Sequence, residues 1–136
     1  MRHSCSAGSL VRWASVLILL IGSSNLAPQT AGLTGVWHGE SICVQQGTAC
    51  NNEHVAYYIE AIPNHPDQVQ IRADKIVNGK AITMGSGPWD FDADHQTLKW
   101  KTPRQIWLLS IEGGRMEGTL ALTDGTLIRK MTLQKQ

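Results

Sequence analysis

His38 and Glu40 stand two residues apart, and Glu53 is followed directly by His54. Two imidazoles and two carboxylates make a donor set that zinc accepts, and two-residue spacing puts strand residues on one face. That face also carries Val36 and Ile42 and lies opposite Trp37, so the expectation is a solvent-facing polar surface and no metal. Asp90-x-Asp-x-Asp94 matches the start of a calcium loop, but His95 replaces the glycine of the sixth position. Lys101 stands where a glutamate would close the cage, so acidic residues framing a hairpin turn are expected there. For covalent catalysis the chain has no Gly-x-Ser-x-Gly elbow and no free cysteine set beside a histidine. No catalytic residue and no cofactor are therefore assigned, and the chain is read as non-enzymatic.

The aromatic residues carry more information. Trp89 and Phe91 share a face of one stretch, Leu98 and Trp100 of the next, and Trp107, Leu109 and Ile111 of a third. They either fill an interior or wall a small apolar pocket whose polar contacts come from Ser41, Tyr57 or Arg129. The candidate ligand-binding residues are Ser41, Tyr57, Trp89, Trp100 and Trp107.

What must position them is a run of strands. From Gly35 onward the dominant period is two, and no helix-period stretch occurs. Strands are expected at 35–44, with Trp37, Gly39, Ser41 and Cys43 facing inward, and at 54–62, where Val55, Tyr57 and Ile59 alternate. Pro63-Asn-His-Pro-Asp67 should break the chain before a strand at 69–77, and Asn78-Gly79 is a strong hairpin signal. Further strands are read at 80–85, 89–92, 97–101, 105–112, 115–123 and 126–134. Eight or nine short strands joined by tight turns form either an up-and-down barrel or a β-sandwich. The barrel is the favoured form because closure removes edges open to aggregation.

Residues 1–27 have the layout of a secretory signal peptide. A basic stretch from Arg2 to Arg12 is followed by an apolar run from Trp13 to Ile21 and then by small residues. Cleavage is expected after Ser24, Ala27 or Ala31; uncleaved, the segment would be an N-terminal anchor. Its removal takes away two basic and no acidic side chains, leaving ten basic against eleven acidic. That near-neutral balance speaks against nucleic acid or an anionic membrane surface as partner. One domain, residues 33–136, is left. Cys5 leaves with the leader, and an exported chain meets oxidising conditions, so Cys43 and Cys50 are expected to form a disulfide.

The segment Leu33-Thr-Gly-Val-Trp37 resembles the Gly-x-Trp opening of the calycin barrels, lipocalins and avidins among them. The resemblance implies that Trp37 closes the barrel floor and that an arginine of the last strand lies across it. Arg129, flanked at two-residue spacing by Leu127 and Met131, is the matching position. Lipocalin signatures beyond the first and last strands are missing, and avidin's biotin-contacting residues do not map. A further resemblance is to small secreted bacterial proteins of no assigned activity. It rests on Gly35-x-Trp-x-Gly-x-Ser-x-Cys43, Cys50-x-x-Glu-x-Val-x-Tyr57, Ala73-Asp-Lys-Ile-Val-Asn-Gly79, Met84-Gly85, Gly118-Thr-Leu120 and Arg129.

The expected function is an exported, periplasmic or secreted binding protein for a small apolar or amphipathic ligand held in the barrel. The alternative is an inhibitor of a secreted hydrolase, a protease or a lysozyme. A cavity above about 300 Å3 favours the first; a filled core with a protruding loop at Cys43–Cys50 favours the second.

Overall fold

The computed structural model describes residues 29–45 and 47–136. The expected leader, with Cys5, Trp13 and the cleavage positions Ser24 and Ala27, lies outside the described residues. Eight strands follow one another: β1 (Gly35–Cys43), β2 (Glu53–Ile62), β3 (His65–Val77), β4 (Lys80–Asp92), β5 (Thr97–Lys101), β6 (Gln105–Glu112), β7 (Arg115–Leu122) and β8 (Leu127–Lys135). Each pairs antiparallel with the next, and β8 pairs back with β1, so the sheet closes into an up-and-down barrel. Closure leaves no free sheet on which a sandwich partner would pack.

Alternation fixes which side chains point inward. From Trp37 on β1 the inward set runs through Gly39 and Ser41; on β8 it runs through Arg129, Met131 and Leu133. Asn78 and Gly79 both take positive φ, 51° and 74°, as the two-residue hairpin between β3 and β4 requires. Gly39 is inward where β8 crosses closely: a Cβ there would lie 2.7 Å from Leu133 Cα and collide with the Thr132 carbonyl. Only glycine permits that approach.

One expected break is shorter than read and another is absent. The segment 63–67 turns only at Pro63-Asn64, with Asn64 at φ 64°, and β3 already begins at His65. Ile62 pairs with His65 across a bulge, so Pro66 sits where it owes β2 no ladder hydrogen bond. The stretches 80–85 and 89–92 are one strand, β4, running through Gly85-Ser-Gly-Pro88. It pairs with β3 from Lys80 to Asp90, with Met84 as the extra residue of a bulge, and with β5 only from Asp90 to Asp92.

In an up-and-down barrel the starts of odd strands and the ends of even ones lie at the same end. At that end Leu33, Trp37, Ile59, Leu98, Leu109, Met116 and Leu133 are buried together as a packed floor. A turn before β1 folds under it, Leu33 N donating to Thr30 O at 2.9 Å. Trp37 is fully buried, and its indole N–H donates to Leu33 O at 2.9 Å. Arg129 does not lie across it. Register pairs Trp37 with Lys135 and Arg129 with Cys43, at the other end of the barrel. The cation over Trp37 is Lys135, with Nζ 5.9 Å from the ring centroid.

Candidate ligand-binding cavity

The other end holds a cavity of about 250 Å3. Ser41 reaches it from the end of β1, Glu53 and Tyr57 from β2, Trp89 from β4, Trp100 from β5, Trp107 from β6, and Arg129 and Met131 from β8. Ser41, Tyr57, Trp89, Trp100 and Trp107, far apart in sequence, thus lie on one wall surface.

Order around the barrel divides that wall. The aromatic side is carried by β4, β5 and β6, where the Trp100 and Trp107 ring centroids lie 4.8 Å apart and tilted by 32°. Trp89 stacks on Trp100 at 5.7 Å and meets Trp107 edge-on at 6.4 Å. Trp89 is buried, whereas Trp100 and Trp107 are half-buried and present ring surface to the opening. Gly85 and Gly87 face Trp100; a Cβ on either would be in ordinary contact with its ring, at 4.0 and 3.8 Å. The absence of side chains there leaves the space open.

The polar side is carried by β8, β1 and β2. Arg129 Nη1 donates to Asn51 O at 3.0 Å and to Ser41 O and Oγ at 3.3 Å, and lies 3.5 Å from Glu53 Oε2. Lys75 Nζ stands 3.7 Å from the other oxygen of Glu53. Tyr57 is 3 % exposed, and its hydroxyl donates to the Met131 thioether at 3.3 Å. Burial pushes its pKa up to about 12; Arg129 pulls the other way, and Glu53 adds to the rise. The hydroxyl is therefore a neutral donor at physiological pH, and sulfur is a weak acceptor for it.

The Cys43–Cys50 disulfide is present, with Cα atoms 6.1 Å apart. Asn52 Oδ1 accepts from Cys43 N at 2.9 Å, so the loop is held at both ends and sets the Asn51 carbonyl on Arg129.

Glu53 departs from the expected grouping. Its sequence neighbours group it with His38, Glu40 and His54 as one outward cluster, but Val55, Tyr57 and Ile59 face inward, and Glu53 follows the same two-residue step into the cavity. That parity was the available signal. His54 and Glu40 remain outside, exposed, with Nδ1 and Oε1 3.8 Å apart. Among the described residues no group of three metal-ligating side chains converges. Asp92 accepts from the backbone N–H groups of Asp94 and His95, each at 3.0 Å, and its carboxylate lies 2.7 Å from His95 Nδ1. That hydrogen bond lowers the Asp92 pKa and raises that of His95. Asp90 instead accepts from Gln68, so the three acids frame a hairpin and do not converge.

No family model matches the chain, and no curated protein matches it in sequence. Solved structures of similar fold include designed β-barrels and a siderocalin. A redesigned β-barrel superposes with a TM-score of 0.58 at 16 % identity, covering 83 % of this chain and 99 % of the other. The redesigned barrel mFAP1, bound to DFHBI, gives 0.58 at 17 %, covering 80 % and 100 %. The siderocalin Ex-FABP, which functions through dual ligand specificities, gives 0.52 at 9 %, covering 77 % and 74 %. At these identities the likeness is one of fold, and the chain is a closed eight-stranded antiparallel barrel.

Proposed function

We propose that this protein binds a small apolar or amphipathic ligand in the open end of its barrel. The observation that carries the reading is the cavity itself: one end is packed solid, and the other keeps about 250 Å3 open between three tryptophans and a polar group of Ser41, Tyr57 and Arg129. Drug-sized ligands occupy pockets of about 300–1,000 Å3. The volume falls short of that range, so the fit is to a smaller molecule. An open space in place of a filled core favours ligand binding over the hydrolase-inhibitor alternative. The barrels it resembles in fold include one bound to DFHBI and one with dual ligand specificities. Export from the cytoplasm belongs to the same proposal and is supported by the disulfide.

The test is a titration of the neutral probe 2-naphthamide, followed by tryptophan emission, in the protein and in its Gly87→Leu variant. Leucine at position 87 projects from ordinary contact with Trp100 into the cavity. Saturable quenching in the protein and its loss in a variant of unchanged thermal stability is the expected result. Equal quenching in both would reject the reading, as would the absence of saturable binding by this probe and by its carboxylate and ammonium counterparts, 2-naphthoate and 2-naphthylmethylammonium, up to millimolar concentration.

A further inference from the structure

The charged groups at the cavity do not cancel. Among the described residues the charged side chains on its wall are Glu53 and Arg129, and Lys75 stands behind Glu53 on the carboxylate oxygen that Arg129 leaves. Two cations therefore share one anion, and the polar wall carries a net positive charge. Asp74, the sequence neighbour of Lys75, is engaged elsewhere, accepting from the Thr83 hydroxyl and paired with Arg72 at 3.3 Å.

The guanidinium is also only half used. Every contact it makes among the described residues goes through Nη1; Nε and Nη2 donate to no acceptor there. A guanidinium offers its donors as a planar fork that fits a carboxylate edge-on. Beside it the Tyr57 hydroxyl gives its proton to a thioether, a partner that an oxygen would displace. Across the barrel stands the tilted pair of half-buried indoles, Trp100 and Trp107, 4.8 Å between centroids. Aromatic faces of this kind favour a flat π-surface over an aliphatic chain.

We propose that the ligand is a planar aromatic anion, a one- or two-ring aromatic carboxylate. Its ring lies against Trp100 and Trp107, and its carboxylate accepts from the free side of Arg129 and from Tyr57. This rests on the reading that the cavity binds a ligand at all, and it adds the sign of the charge and the flatness of the body. A linear alkyl carboxylate of the same volume meets the arginine but not the indole pair. An aromatic amine meets the indoles but adds a third cation to the polar wall.

Three probes of one shape separate the two levels of the proposal: 2-naphthoate, 2-naphthamide and 2-naphthylmethylammonium, titrated calorimetrically into the full protein. Charge-assisted hydrogen bonds to arginine predict that naphthoate binds about tenfold or more tighter than the amide, and the ammonium weakest. Glu53→Gln keeps the shape and removes the competing anion, so it should tighten naphthoate and leave the amide unchanged. Arg129→Met should reduce naphthoate to the level of the amide. If that variant does not fold, the Glu53→Gln result carries the test alone. An amide that binds as tightly as naphthoate, or an ammonium that binds tightest, overturns the anion proposal and leaves the cavity reading standing. Failure of all three probes at millimolar concentration overturns both.

Discussion

Lys135 Nζ lies 5.9 Å from the centroid of the Trp37 ring and at the same time donates to the Gly32 carbonyl at 2.8 Å. The last residue of the last strand thus covers the first tryptophan and ties down the turn beneath it. A double-mutant cycle of Trp37→Leu and Lys135→Met on urea unfolding should give a coupling of about 0.5–1 kcal/mol, as for a partly exposed cation over an indole. The same cycle with Arg129→Met in place of Lys135→Met should give none. Coupling to Arg129 and not to Lys135 would contradict the β1–β8 register.

The sequence made the parity of each strand legible but not its partners' offset. Two-residue alternation placed Trp37, Ser41, Tyr57 and the three tryptophans on the inner face, and Asn78-Gly79 marked its turn. Which cation meets Trp37 depends on how far β8 slides along β1. That stagger is set by closing the whole barrel and not by any local residue. Arg129 and Lys135 share a face, so alternation cannot choose between them. The continuity of β4 was hidden for a related reason. Gly85-Ser-Gly-Pro88 reads as a break, yet β5 pairs with β4 only from Asp90 to Asp92, so Pro88 faces no ladder on that side. Parity with Val55 and Tyr57 makes Glu53 legible as an inner residue, whereas its sequence neighbour His54 points to the outer face.

The disulfide should stabilise modestly. Cys43 and Cys50 are seven residues apart, and closing so short a loop contributes roughly 2.5 kcal/mol in the chain-entropy model. The double variant Cys43→Ala with Cys50→Ala should lose about that much in urea unfolding while remaining folded at room temperature. Loss of the folded state altogether would mean that the bridge staples the barrel and not just the loop.

Two glycines on inner faces should respond in opposite senses to alanine. Gly39→Ala drives a methyl into the Thr132 carbonyl and the Leu133 backbone, which cannot move without parting β1 from β8. A loss of about 3 kcal/mol or more is expected. At Gly87 the new methyl meets only the Trp100 ring at 3.8 Å, and alanine removes backbone freedom from the unfolded chain. A gain of about 0.5 kcal/mol is expected there. Thermal unfolding of the two variants decides it; equal destabilisation would contradict the geometry at both positions.

The buried phenol of Tyr57 should make stability fall in alkali. Burial raises its pKa to about 12, against 10 for an unburied tyrosine. The raised value belongs to the folded protein, so folding favours the protonated form. Below pH 10 both states hold the proton, and the contribution is fully present. Between pH 10 and about 12 the unfolded chain releases the proton while the folded one keeps it. Stability must then fall as pH rises, by roughly 3 kcal/mol across the window at about 1.4 kcal/mol per pKa unit. Other groups titrate in the same range, so the protein alone cannot isolate this one. Tyr57→Phe keeps the ring and its contact with Trp89, whose centroid is 6.3 Å away, and removes only the ionisable hydroxyl. The hydroxyl's partner is a thioether, a weak acceptor, so the variant should cost little at neutral pH. Unfolding free energies measured from pH 9 to pH 12 should decline more steeply in the protein than in the variant, the difference opening above pH 10. Parallel curves would mean that the hydroxyl reaches solvent in the folded barrel, and that the cavity beside it is wetter than its walls suggest.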